Sequence, residues 1–123
     1  MIRNKKDVPG ANYVEKGWGH EQWIVNTPEY CGKILHVRRG KRCSWHYHRI
    51  KEETFYLQSG RVMVFIGDTD KEEGAEMVIL NPGDSLHILP DTRHFFFGVE
   101  DSDIFEFSTH HEEADSIRIT KGD

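Results

Sequence analysis

Apolar and polar residues alternate over short stretches of this chain, and glycines and prolines interrupt them before any helical periodicity develops. Leu35 and Val37 flank His36, and Phe55 and Leu57 alternate with Thr54, Tyr56 and Gln58, the two-residue period of strands with one buried face. The pattern predicts strands over 18–25, 32–38, 44–48, 53–58, 61–66, 76–80, 85–89, 94–99, 103–108 and 116–120. That many short strands, with turn signals about every eight to twelve residues, imply an all-β sandwich or closed barrel. Residues 67–74 are rich in Asp, Lys and Glu and read as a hairpin tip between apolar strands. Residues 1–12 read as an N-terminal arm, loose or laid across a partner subunit.

Length and composition narrow the function classes. At 123 residues, 37% hydrophobic and 30% charged, the chain suits one domain spanning 1–123 with a core of its own. No window approaches the roughly 20 apolar residues that cross a bilayer, and the start lacks a leader's hydrophobic stretch, so the expectation is cytoplasmic with no membrane partner. A net charge of -5 disfavours nucleic acid as a partner. The one basic cluster, Arg38, Arg39, Lys41 and Arg42 around Gly40, reads as a solvated loop, and Cys31 and Cys43 as reduced packing residues.

One constellation carries chemistry. His46 and His48 lie two apart in a strand, so both imidazoles face the same way. If the apolar Phe55 and Leu57 point inward, Glu53 does too and Glu52 does not; by the same parity His94 shares a face with Phe96. Three imidazoles and a carboxylate suit Mn, Fe, Co, Ni or Zn and suit Ca or Mg poorly. The other histidines look peripheral: His36 and His87 alternate with inward apolar neighbours, His20 reads as a surface residue, and the adjacent His110 and His111 cannot both face one site in extended chain.

The run Gly40, His46, His48, Glu53, Gly60 resembles the first motif of the cupin superfamily, and 83–98, with Pro90 and His94 in register, resembles the second. Leu89, Asp91 and Gly98 depart from that second motif at turn positions. The resemblance implies a jelly-roll β-barrel (double-stranded β-helix) holding one divalent transition metal on His46, His48, Glu53 and His94.

A finer likeness runs along most of the chain. Lys16-Gly17-Trp18-Gly19, 30–33, 40–48, 84–94, Phe105-Glu106-Phe107-Ser108 and Asp115-Ser116-Ile117-Arg118 resemble the cupin domain of type II mannose-6-phosphate isomerases, with Gly17 where that family has proline and His46 where it commonly has glutamine. The likeness implies a sugar or sugar-phosphate isomerase or epimerase. Glu106, matching a family glutamate, is the candidate catalytic base. Lys33, inward by parity with Leu35, and Arg118, matching the family's closing arginine, are the candidate substrate-binding cations. An iron-dependent dioxygenase, with Phe55, Phe96 and Phe105 lining a dry pocket, and a non-catalytic binding barrel are the alternatives. The outward aromatics Trp45, Tyr47, Phe95 and Phe97 suggest a second apolar face buried against another sheet or subunit, hence a homodimer.

Overall fold

The computed structural model describes residues 12–123. Its strands are Tyr13–Lys16 (β1), Gly19–Asn26 (β2), Cys31–Val37 (β3), Trp45–His48 (β4), Glu53–Ser59 (β5), Val62–Gly67 (β6), Glu76–Leu80 (β7), Ser85–Ile88 (β8), Arg93–Gly98 (β9), Ser102–Ser108 (β10) and Ser116–Thr120 (β11), with a 3-10 turn at Glu113–Asp115. Two antiparallel sheets form, in the orders β1-β2-β3-β10-β5-β8 and β11-β4-β9-β6-β7. From β3 onward the chain passes from sheet to sheet at nearly every connection, which is jelly-roll winding.

The expected alternation decides which residues meet between the sheets. Leu35, Val37, Phe55, Leu57 and Ile104 from one sheet pack against Val62, Val64 and Phe96 from the other, all nearly inaccessible to solvent. Cys31 and Cys43 are buried free thiols, as read from the sequence. Ten strands fall where the alternation put them, within a residue or two, and β1 is an addition. The proposed arm over 1–12 lies outside the described residues apart from Asn12, whose carbonyl accepts a hydrogen bond from the Trp23 amide at 2.8 Å.

Two expectations about outward and inward aromatics need correction. Trp45 is fully buried and Phe95 nearly so, yet the cover comes from the same chain. The β6–β7 loop, the expected hairpin tip, folds back so that Trp45 Nε1 donates to the Asp70 carbonyl at 2.8 Å. Arg42 stacks 3.6 Å above the Phe95 ring and Arg93 stacks 3.8 Å above Tyr47, and these arginines pair with Glu72 and Asp70 of that loop. The burial of this face therefore requires no second subunit. Phe105, expected to line the pocket, instead pairs in register with Tyr56 and Ile34, its ring tilted against that of Tyr56 on the outer face.

Candidate metal centre

His46 on β4 lies directly opposite His94 on the neighbouring β9, and His48 follows on the same face. Glu53 opens β5 in the opposite sheet. The arrangement draws three imidazoles from one sheet and a carboxylate from the other. One nitrogen from each histidine lies within 4.8 Å of the other two. Glu53 Oε2 stands 3.0 Å from His94 Nε2 and 3.8 Å from His48 Nε2. His94 is completely buried, and Glu53 and His48 nearly so.

Hydrogen bonds fix what these atoms can do. His94 Nδ1 lies 2.8 Å from the Thr92 carbonyl and His46 Nδ1 lies 2.7 Å from the Ser44 carbonyl. A carbonyl only accepts, so each Nδ1 carries a proton, and in the neutral ring Nε2 then presents a lone pair. Glu53 Oε2 and His94 Nε2 are both buried without a hydrogen-bond partner, two lone-pair-bearing atoms turned toward each other. Such a pair is costly unless a cation sits between them. Burial disfavours the charged form of His46 and His48, holding His46 well below its ordinary pKa and His48 down at about 4. Imidazole nitrogens plus a carboxylate are a donor set for a borderline transition metal, and the residues present fit one.

The centre forms part of one wall of a cavity of about 590 Å³ that Lys33, Lys51, Glu106 and His111 also line. Glu106, on β10, is buried rather than exposed, and its Oε2 accepts hydrogen bonds from Lys51 Nζ at 2.6 Å and Ser108 Oγ at 3.0 Å. Burial, with the Glu53 charge added, raises its pKa. Lys51 is 2% exposed and also reaches Glu53 Oε1 at 3.4 Å and His111 Nδ1 at 3.0 Å. Burial opposes its charge, but Glu106 and Glu53 outweigh that and raise its pKa, so it remains an ammonium.

Lys33 points inward as expected, but it is engaged: its ammonium lies 3.1 Å from Glu21 Oε1 and 4.1 Å from the centre of the Trp23 ring. Burial presses the Glu21 carboxyl upward, yet Lys33 and Lys16 prevail and lower its pKa. Arg118 lines the rim, half-exposed, with its guanidinium 3.0 Å from Glu113. The adjacent histidines part company, His111 turning into the cavity while His110 Nδ1 bonds the Thr27 carbonyl at 2.8 Å. Glu52 and His87 pair with each other on the outside. Sequence reasoning missed Lys51, Glu21 and His111. Lys51 and Glu21 share the inward parity of Glu53 and Trp23, a usable signal, whereas His111 sits in a loop where parity says nothing.

Comparison with known proteins gives the frame. The sequence profile described as the cupin domain matches residues 33–107. A D-lyxose/D-mannose isomerase from Thermosediminibacter oceani is 32% identical over 114 residues, an alignment covering 76% of this chain and 63% of that one. The chain thus spans less than two thirds of this curated relative. Among solved structures, KdgF from Halomonas sp. superposes with a TM-score of 0.70 at 20% identity, covering 83% of this chain and 90% of that one. Oxalate decarboxylase from Bacillus subtilis does so with a TM-score of 0.73 at 15% identity, covering 86% of this chain and 29% of that one. At such identities these likenesses speak for the fold alone.

Proposed function

Because the chain belongs to the cupin family, we propose that it is a sugar isomerase using one divalent transition metal, held by His46, His48, Glu53 and His94, to interconvert aldoses and ketoses. The observation that carries the reading is Glu106, a buried carboxylate outside the ligand set, in the same cavity, with its pKa raised by burial. The isomerase relative supports the same chemistry. A metal at this centre, when bound, polarises a carbonyl and its neighbouring hydroxyl.

The chain's own residues supply the rest. Glu106 takes the proton from one carbon of the sugar and returns it to the adjacent carbon, while the hydroxyl proton passes from one of the two neighbouring oxygens to the other. Lys51 keeps its charge, orients Glu106 through the 2.6 Å ion pair and separates it from Glu53, so that one carboxylate stays with the ligands and the other handles the proton. Lys33 and Arg118 meet substrate already paired with Glu21 and Glu113. Cations so neutralised favour hydrogen bonding to the hydroxyls of an uncharged sugar over capture of a phosphate.

The test is an anaerobic assay of aldoses and their phosphates with Mn, Co, Ni, Zn or Fe restored in turn. Interconversion is expected, strongest for unphosphorylated sugars, and Glu106→Gln should lower it about a hundredfold or more. Oxygen uptake with iron, without interconversion of any sugar under argon, would overturn this reading in favour of the dioxygenase.

A further inference from the structure

The cavity reaches the seam between the two edge strands. Val14 and Lys16 of β1 line it from one sheet and Ser116 and Arg118 of β11 from the other, and so do Lys121, Gly122 and Asp123, which follow β11. These last three residues are tied down on both sides. Asp123 N donates to the Arg42 carbonyl at 2.9 Å, and Arg42 N donates to Asp123 Oδ2 at 2.7 Å. A Cβ placed on Gly122 would lie 2.3 Å from the Cys43 carbonyl carbon and 2.5 Å from Ser44 N. A Cβ placed on Gly17, in the turn between β1 and β2, would lie 2.2 Å from the Asp123 carbonyl carbon and 2.3 Å from its oxygen. Residues 121–123 therefore strap the β1–β2 turn of one sheet to the segment leading into β4 of the other, backbone against backbone.

The strap also lies beside the metal centre. Gly122 rests on Ser44, whose carbonyl holds His46 Nδ1 at 2.7 Å. Real Cβ atoms do not approach backbone as closely as 2.2 or 2.3 Å, so a side chain at residue 17 or 122 would force the strap off the barrel.

We propose that residues 121–123 are a fixed wall of the cavity that limits the length of sugar admitted, and that Gly17 and Gly122 are specificity-determining because the strap seats only where they have no side chain. The identity of the substrate rests on the isomerase reading; the existence of the wall does not. A monosaccharide fits within a cavity of about 590 Å³, and a longer sugar that extends toward residues 121–123 meets them.

The experiment uses Gly17→Ala, a chain ending at Thr120, and the two combined, all carrying Cys31→Ser so that Cys43, a buried residue of the cavity wall, is the single thiol. Two quantities are read: the rate of Cys43 alkylation by a small reagent, and the ratio of kcat/KM for a hexose to that for a reducing disaccharide of the same hexose. Both Gly17→Ala and the shortened chain should alkylate about tenfold faster or more, and their preference for the monosaccharide should fall about tenfold. Adding Gly17→Ala to the shortened chain should change neither quantity, because the atoms it would strike are gone. Unchanged alkylation and preference in the shortened chain would overturn the proposal, as would a Gly17→Ala effect of equal size with and without the strap. If one variant fails to fold, the other still decides. Faster alkylation with no sugar turned over by any form, the unaltered chain included, would support the wall and overturn the isomerase reading.

Discussion

His111 shows how a single side chain in this cavity becomes measurable. Its backbone is gripped at two points by Asn26, whose amide donates to the His111 carbonyl at 3.1 Å and accepts from its N–H at 2.9 Å. Burial, then the Lys51 and Lys33 cations, push its pKa down to about 4. An unfolded histidine titrates near 6.5, so between pH 6.5 and 4 the unfolded chain takes up a proton that the folded chain refuses. The stability this ring contributes is complete above about pH 6.5 and drains away as the pH falls through 4. In urea unfolding of chelator-treated protein at pH 7, 5.5 and 4, His111→Gln should flatten the loss over that window by about 1 to 3 kcal/mol. An unaltered slope would mean that the ring is solvated. The two neighbouring glutamates make a second contrast. Glu53→Gln should lower metal affinity about tenfold or more, measured by competition with a chromogenic chelator, whereas Glu52→Gln, which loses only an exposed partner of His87, should leave it unchanged. Alternation alone separated these two residues. It would also have placed Lys51 inward, but a lysine is rarely sealed from water without partners, and two of its three, Glu106 and His111, lie more than fifty residues along the chain.

At the scale of elements, the strands whose inner faces fill the barrel were legible because burial imposes the two-residue period directly on them. β1 was not: its residues are exposed or half-buried, and it is a strand because Tyr13 to Lys16 pair in register with Gln22 to Gly19. The β6–β7 connection was read as a hairpin tip, as it is, but nothing local announces that Asp70 and Glu72 will meet Arg93 and Arg42 across the outer face. Trp45 is the anchor of that cover. Trp45→Ala should cost about 3 to 5 kcal/mol in urea unfolding, and Trp45→Phe, which keeps ring contact with Phe95 but loses the bond to the Asp70 carbonyl, about 1 to 3 kcal/mol. Both should open the 68–74 loop to limited proteolysis. The size of these losses should not depend on protein concentration, because the cover is intrachain; a marked concentration dependence would mean that a second copy supplies it.

For the whole molecule, the spacing of Gly40, His46, His48, Glu53 and Gly60 pointed to the jelly roll and to the side-chain cluster inside it, while the strap of residues 121–123 against Gly17 stayed hidden, being a contact between segments far apart in sequence. The topology also gives the centre a mechanical role. His46, His48 and His94 belong to the five-stranded sheet and Glu53 to the six-stranded one, so an ion held by all four would join the two layers. The apolar core between the sheets is extensive without it, from Leu35 and Val37 to Val64 and Ile104, so the metal-free chain should remain folded. An ion that binds only the folded state then adds stability by mass action, about 2.7 kcal/mol when its free concentration is a hundredfold above Kd. For a chain of this size that raises Tm by roughly 10 °C. Calorimetry after chelation and after restoring Mn, Co, Ni, Zn or Fe should show this increase with at least one of them. His94→Ala should fold to a similar metal-free Tm, or a slightly lower one, and show no increase with any of the five. A Tm indifferent to all of these metals in the unaltered chain, or an increase that survives His94→Ala, would remove the ion from this centre and leave the four side chains to be explained as barrel filling alone.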